Sequence, residues 1–244
     1  MGRYSTRLAT RFADTIDFDL ITTALDMGSG PGALTGELVE RLGASSVSAC
    51  DPSPTFAAEC ATRYPGVDVR LGRAESIPFD YSSFSLAMAQ LVLHFVTEPR
   101  AAADELRRVV RDGGVVAGCV WEFTEGMQML RAFWDAALIA DPSAPDQATT
   151  MRFGRAGEIA ELFESAGFIE IVETKLTVRS AYHSFEELWS GFLAGVGPAG
   201  TYLASLDDRG RDSLRRNLYE GLGEPAGQFE LSATAISARG RAPE

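Results

Sequence analysis

The stretch Ala24-Leu25-Asp26-Met27-Gly28-Ser29-Gly30-Pro31-Gly32-Ala33 decides the fold class of this chain. A compact apolar run over residues 23–27 ends at glycines 28, 30 and 32, and a segment with helical spacing of its apolar residues follows over 33–42. Glycines between a strand and a helix let the backbone pass very close to a ligand. The stretch therefore predicts a strand, a ligand-binding loop and a helix, in that order.

The same alternation continues along the chain. Short apolar runs predict strands, and the segments between the first of them have helical spacing. The predicted strands cover residues 23–27, 46–50, 67–71, 84–91, 115–121, 169–178 and 229–239. Strands that alternate with helices at this spacing indicate parallel βαβ units. We therefore expect an α/β fold, a doubly wound, Rossmann-like and mostly parallel seven-stranded sheet that is closed by an antiparallel C-terminal strand.

The sequence contains no Pro/Ser-rich linker, so we expect a single domain over residues 1–244. Two segments, 124–152 and 184–226, depart from the strand and helix alternation and are expected to be helical additions to the core. The turn after the fourth helix is predicted at residues 112–114, where two glycines follow an aspartate.

Composition excludes several classes of function. The net charge of −12 over 244 residues opposes binding to nucleic acid, which relies on positive charge. Three cysteines without a CxxC spacing and only two histidines predict neither a disulfide framework nor a metal site. No apolar run is long enough to span a bilayer, and the N-terminus lacks the pattern of a signal peptide. These features predict a cytoplasmic protein with no membrane contact.

Two ligand classes suit a glycine loop of this kind: a dinucleotide, bound through its pyrophosphate, and an adenosyl cofactor without phosphates. Asp26 lies two residues before the loop, where a carboxylate repels a pyrophosphate and attracts an ammonium group. Pro31 removes one backbone N–H that a phosphate could use. Asp51, at the end of the next predicted strand, can bind ribose hydroxyls in either class. The pattern favours S-adenosylmethionine, which carries an ammonium, a sulfonium and no phosphate.

Five motifs in register resemble those of class I S-adenosylmethionine-dependent methyltransferases of the UbiE-like, small-molecule kind. The matching segments are Asp26–Gly32, Asp51-Pro52-Ser53, Gly72–Phe79, Phe84–Val96 and Leu106–Val116. Together they cover roughly residues 5–120 in the order of that family, which is far more specific than any one glycine motif.

The resemblance implies roles for individual residues in binding S-adenosylmethionine. The loop residues Gly28, Ser29, Gly30 and Gly32 correspond to those that approach the methionine part, and Asp26 to the acid that reaches its amino group. Asp51, with Pro52 beside it, corresponds to the acid that binds the ribose. Ala74 and Glu75 are expected near the adenine, and Gln90 holds the polar position of the fourth strand. Arg73 departs from the family pattern, which has an aspartate there, so the usual acceptor for the adenine amino group is missing.

The resemblance also implies methyl transfer to a small-molecule acceptor, with the two additions shaping the acceptor pocket. His94 follows the fourth strand on the side of the acceptor and is the candidate general base; its alternative role is that of a packed, structural histidine. Three other functions stay open: a nucleotide-dependent oxidoreductase, a methylase of macromolecules, and a cofactor-binding protein of the same fold that does not methylate. The oligomeric state is not predicted.

Overall fold

A computed structural model describes residues 2–195 and 197–244 of the chain. Seven strands form one sheet in the order β3-β2-β1-β4-β5-β7-β6. The strands are β1 (Ala24–Met27), β2 (Val47–Asp51), β3 (Asp68–Leu71), β4 (Phe84–Gln90), β5 (Val110–Trp121), β6 (Ile169–Tyr182) and β7 (Phe229–Arg241). The neighbours from β3 to β5 pair in parallel. The predicted fold class is confirmed.

The last strand reverses the direction of the sheet. The amide of Ala242 donates to the carbonyl of Gly114 at 2.8 Å, and the amide of Glu122 donates to the carbonyl of Thr234 at 3.0 Å. Residue numbers that rise along one strand and fall along the other identify an antiparallel pair. β7 is therefore the antiparallel closing strand that the sequence predicts.

Helices occupy the segments between the strands. They are α1 (Gly2–Ala13), α2 (Ala33–Leu42), α3 (Pro54–Arg63), α4 (Pro99–Val109), α5 (Gln128–Ala140), α6 (Gln147–Thr150), α7 (Glu158–Ser165), α8 (Phe185–Leu193), α9 (Gly197–Ser205) and α10 (Asp208–Gly221). Proline begins both α3 and α4, a position where its missing N–H has no intrahelical partner to lose. α2 has the predicted bounds.

The chain divides into two compact units. One unit comprises Met1–Val120, Arg155–Leu176 and Ala235–Glu244, and the other comprises Trp121–Gly154 and Thr177–Thr234. The predicted additions, 124–152 and 184–226, lie within the second unit. Its core is aromatic: the ring of Phe133 lies 5.1 Å from that of Trp134 and 4.5 Å from that of Phe192, between centroids.

The turn predicted at residues 112–114 is wrong. β5 begins at Val110 and runs through both glycines, because the end of β7 pairs with them. The amide of Gly113 donates to the carbonyl of Ala242 at 3.1 Å, and the pairing of β5 with β4 shifts register between Phe84 and Leu86. The glycines therefore mark an irregularity inside a strand rather than a turn before it.

The order of the strands defines where a ligand can bind in the first unit. β1 lies between β2 and β4, so the chain leaves β1 toward one side of the sheet and later returns to its other side. The carboxyl ends of these three parallel strands meet at one edge, at the topological switch point where α/β sheets bind their ligands. That edge carries Met27, Asp51 and Gln90.

In the described residues, no helix is both long enough and apolar enough to cross a membrane. The same residues contain no group of three or more histidine, cysteine, aspartate or glutamate side chains arranged to hold a metal ion.

Candidate functional site

Three glycines give the loop after β1 its shape, and they do so for different reasons. Gly28, Gly30 and Gly32 have φ angles of +75°, +51° and +92°, a conformation that side chains disfavour. A Cβ on Gly28 would lie 2.5 Å from a methyl of Val92, and one on Gly32 would lie 2.6 Å from the ring of Tyr64. Around Gly30, by contrast, no described atom lies within 4 Å of an added Cβ. Gly30 is therefore the loop position that is open to a ligand.

The amides of this loop are already bonded within the chain. The amides of Gly28 and Ser29 donate to the carbonyl of Cys50 at 2.7 and 3.0 Å, and the amide of Gly32 donates to the carbonyl of Ser29 at 2.9 Å. The amide of Gly30 donates to Asp51 Oδ2 at 2.8 Å. Since Pro31 has no N–H, residues 28–32 keep no amide hydrogen for a phosphate cradle.

Asp51 joins the first loop to the second. Its Oδ2 atom accepts from Gly30, and its Oδ1 atom accepts from the amide of Ser53 at 2.8 Å. Ser53, not Asp51, caps α3, because its side chain accepts from the amide of Phe56 at 3.4 Å. Each carboxylate oxygen has a second lone pair, so the group can still accept a hydrogen bond from a ligand hydroxyl. Pro52 is exposed beside it.

Asp26 lies beneath the loop, at the end of β1. It is 1 % exposed, and its Oδ2 atom accepts a hydrogen bond from Thr35 Oγ1 at 2.6 Å. Burial raises the pKa of the Asp26 carboxyl to about 7, in spite of the bonds from Thr35 that lower it. The structure thus gives Asp26 a partner on α2, and its contact with the cofactor amino group stays a prediction.

The raised pKa of Asp26 predicts how the free energy of unfolding depends on pH. Between about pH 4 and pH 7 the folded protein keeps a proton on Asp26 that the unfolded chain releases, so the free energy of unfolding falls as the pH rises through this range. The full effect is roughly 4 kcal/mol, since each pKa unit corresponds to about 1.4 kcal/mol. Asp26→Asn, which cannot titrate, should lose this part of the pH dependence. Denaturant unfolding of both proteins at about pH 5 and about pH 8 measures it; equal pH dependence in the two proteins would contradict the assignment.

Gln90 ends β4 and contacts the first helix. Its Nε2 atom donates to the carbonyl of Ser5 at 3.0 Å. Its Oε1 atom is buried and has no hydrogen-bond partner in the described part of the chain. A buried acceptor of this kind is costly unless something donates to it, which a ligand N–H or O–H at the switch point would do. The next residue, Leu91, has a φ of +61°, a strained conformation of the kind that occurs at ligand sites.

The loop after β3 reaches the same edge through a backbone bond. The amide of Gly72 donates to the carbonyl of Asp51 at 3.1 Å. Two residues on, Ala74 is buried, whereas Arg73 is exposed. Glu75 accepts from the amides of Thr97 and Glu98 at 3.1 and 3.4 Å, so its carboxylate bonds this loop to the start of α4. The predicted contact of Glu75 with adenine stays a prediction, beside the structural role that these bonds show.

His94 lies on a short turn, Leu93–Phe95, that follows β4. The His94 side chain is buried, and its ring centroid is 4.0 Å from that of Phe95, which is 73 % exposed. Burial lowers the pKa of His94 to about 4. At neutral pH the imidazole is therefore uncharged, and its role as the general base stays a prediction.

Hydrogen bonds join four of the predicted site residues directly, Gly30 to Asp51 and Gly32 to Ser29. Gly28 and Ser29 both donate to the carbonyl of Cys50, the residue before Asp51, and β1 pairing places Asp26 beside Met88, two residues before Gln90. Four residues that contact the site were not predicted from the sequence: Thr35, Tyr64, Val92 and Ser5. Thr35 had a usable signal, since a threonine in the first turn after a glycine loop is well placed to bond a carboxylate at the strand end.

Comparison with known proteins identifies the segment that carries this site. Residues 25–118 match the methyltransferase domain family. An uncharacterised methyltransferase of Mycobacterium tuberculosis H37Rv is 36 % identical over 124 residues, which are 50 % of this chain and 49 % of the relative. The malonyl-[acyl-carrier protein] O-methyltransferase of Salmonella typhimurium is 38 % identical over 95 residues, or 39 % of this chain and 37 % of the relative. The chain spans about half the length of the mycobacterial relative that it matches.

Solved structures share the whole fold at low identity. The YcgJ protein of Bacillus subtilis has a TM-score of 0.61 at 17 % identity, with 99 % of each chain covered. The [4+2]-cyclase SpnF has a TM-score of 0.61 at 21 % identity, covering 98 % of this chain and 81 % of that one. A phosphoethanolamine N-methyltransferase of Haemonchus contortus, solved with S-adenosylhomocysteine, has a TM-score of 0.59 at 16 % identity over 98 % of this chain and 53 % of that one.

The matched residues, 25–118, include the glycine loop, both aspartates, Gln90 and His94. Over residues 25–118 the chain is therefore similar to the methyltransferase domain family, and the solved structures share its fold.

Proposed function

We propose that this chain transfers the methyl group of S-adenosylmethionine to a small organic acceptor. The observation that carries the proposal is the loop after β1, which is open at Gly30, flanked by Asp26 and Asp51, and without a free amide hydrogen over residues 28–32. A pyrophosphate needs hydrogen-bond donors, and it finds the carboxylate of Asp51 and no free amide there. A cationic, phosphate-free ligand is compatible with both features. The same features oppose a nucleotide-dependent oxidoreductase.

The residues of the edge fit the parts of S-adenosylmethionine. The open backbone at Gly30 allows close approach of the methionine part, and the free lone pairs of Asp51 suit two ribose hydroxyls. Gln90 Oε1, which is buried without a partner in residues 2–195 and 197–244, suits an N–H donor of the same ligand. Ala74 is buried on the loop where the adenine would lie, although Arg73 replaces the usual acid.

Methyl transfer from S-adenosylmethionine requires the protein mainly to position the two reactants. The cofactor supplies a methyl group that its sulfonium already activates, so the chain mainly has to hold the acceptor in line and exclude water. This requirement agrees with a site built from a backbone loop and two carboxylates. The net charge of −12 favours a small acceptor over nucleic acid. Three free cysteines, all buried, suit the reducing conditions of the cytoplasm, where we propose that the protein acts.

Binding and turnover test the proposal separately. Calorimetry should show that S-adenosylmethionine binds and NAD does not. Incubation with methyl-labelled S-adenosylmethionine and a panel of phenols, amines and carboxylic acids should then yield a labelled product. Binding of NAD in preference would overturn the cofactor assignment.

A cofactor-binding protein that does not methylate is the second candidate. Arg73 favours it, because the position that usually recognises adenine carries the opposite charge here. Binding of S-adenosylmethionine without a labelled product over the whole panel would support this candidate against methyl transfer.

His94 as general base gives a further prediction. An acceptor hydroxyl must lose its proton as it attacks, whereas a carboxylate acceptor is already ionised. His94→Gln should therefore slow methylation of a phenol by roughly a hundredfold and leave methylation of a carboxylate nearly unchanged. Rates with the two acceptor classes, measured at saturating cofactor, check this. An equal loss for both classes would assign His94 to the packing of its turn.

A further inference from the structure

A second cavity lies at the opposite end of the sheet from the glycine loop. Its volume is about 370 Å³, and all of its lining residues belong to the first unit. They come from the segment before β1, from the starts of β4 and β5, and from the end of β7. The parallel strands begin at this cavity and end at the opposite edge of the sheet, where we propose that the cofactor binds. The cavity therefore takes no part in the proposed methyl transfer.

Three arginines line this cavity: Arg111, Arg239 and Arg241. Arg241 is paired, since its Nε atom lies 3.4 Å from a carboxylate oxygen of Glu170 and its Nη1 atom donates to the carbonyl of Gly113 at 2.7 Å. Among the residues that the structure describes, Arg111 makes only a long contact of 3.5 Å, to the carbonyl of Leu20. Within the described residues, neither Arg111 nor Arg239 has a carboxylate within 4 Å.

The acidic groups at the cavity do not neutralise these arginines. Asp112 is engaged by Arg107 outside the cavity, at 3.2 Å. Asp17 accepts from the amide of Asp19 at 3.1 Å. The opposite charges cancel within the pairs Arg241–Glu170 and Arg107–Asp112. The two positive charges of Arg111 and Arg239 then exceed the single negative charge of Asp17. On a chain with a net charge of −12, such an excess of positive charge in a concave site is a specific feature.

The remaining walls are largely apolar. Ile16, Ile21 and Val115 contribute hydrocarbon surface, and Leu20 is 74 % exposed at the cavity. Guanidinium groups bind carboxylates and phosphates in planar, two-pronged geometry, and apolar walls hold the adjoining part of a ligand. We propose that this cavity binds a small organic anion, with its phosphate or carboxylate at Arg111 and Arg239 and its apolar part against Leu20 and Val115.

Titration with three matched compounds tests the proposal on the full chain. Hexyl phosphate carries both parts, inorganic phosphate carries only the anion, and hexanol carries only the apolar part. Calorimetry at low salt should show that hexyl phosphate binds at least about tenfold more tightly than either of the others. Affinity for hexyl phosphate that is no greater than for hexanol would overturn the proposal.

Charge-removing variants locate the binding. The double variant Arg111→Gln and Arg239→Gln should lower the affinity for hexyl phosphate by about tenfold. The control variant is Arg209→Gln, which changes an exposed arginine of α10 that does not line the cavity, and it should leave this affinity unchanged. Both variants should bind S-adenosylmethionine as the parent chain does, which keeps this test independent of the proposed activity. Equal affinity for hexyl phosphate in the double variant and the parent would show that the anion binds elsewhere and would overturn the assignment.

Discussion

Gly30→Ala should abolish cofactor binding while the protein stays folded. A methyl group at this position meets no atom of the described chain within 4 Å, so the substitution adds no internal clash. Its cost to folding is the strain of a side chain at a φ of +51°, about 1 kcal/mol. The added methyl would instead occupy the space that the ligand needs, and affinity for S-adenosylmethionine should fall by roughly a hundredfold or more. Calorimetry together with thermal unfolding measures the two effects.

Two glycines supply matched controls for this substitution. Gly167 follows α7, also has positive φ and also has no described atom within 4 Å of an added Cβ, so Gly167→Ala should reproduce the strain without the loss of binding. Gly28→Ala should mainly lower the stability of the fold and not the affinity for the cofactor, because its methyl would overlap Val92. Undiminished affinity in Gly30→Ala would show that the ligand does not approach this part of the loop.

Hydrophobic periodicity predicted the fold because the central strands of the parallel sheet, β1, β2 and β4, are buried on both faces. β1 and most of β4 consist of buried residues, and an apolar run that ends in a turn signal is the usual pattern of such strands. That residues 112–114 lie inside a strand, and not in the predicted turn, could not be predicted in this way. Those glycines are held in a strand by Ala242, more than a hundred residues later, and local propensity contains no information on a partner so distant.

In the site, too, the sequence predicted features that depend on local spacing and did not predict contacts between residues that are distant in sequence. The glycine loop and its flanking aspartates follow from spacing alone, since a strand, a tight turn and a helix must succeed one another there. The partners of those acids do not. The sequence predicts that Glu75 lies near the adenine, yet its carboxylate accepts hydrogen bonds from two backbone amides at the start of α4. The sequence predicts that Asp26 is a charge that faces a ligand, yet its burial raises the pKa of the carboxyl to about 7 in spite of the hydrogen bond from Thr35.

Asp51→Asn should damage both stability and binding. Both oxygens of the Asp51 carboxylate accept backbone amides, one from Gly30 and one from Ser53. Asparagine keeps a single oxygen, and its NH₂ group would point a hydrogen at an amide that also donates. The free energy of unfolding should fall by about 2–4 kcal/mol, because bonds to a charged acceptor are lost in a buried place. Asp68→Asn, at an exposed carboxylate on β3, should cost less than about 1 kcal/mol.

The same variant separates two roles of Asp51 in cofactor binding. If the carboxylate only holds the Gly30 amide, Asp51→Asn should lower the affinities for S-adenosylhomocysteine and for its 2′,3′-dideoxy analogue by the same factor. If the carboxylate also accepts the ribose hydroxyls, the affinity for S-adenosylhomocysteine should fall by a factor that is at least roughly ten times larger, because the analogue has no such bonds to lose. We expect the second result, since each oxygen keeps a lone pair beside its backbone amide. A variant that binds both ligands as the parent chain does would remove Asp51 from the site altogether.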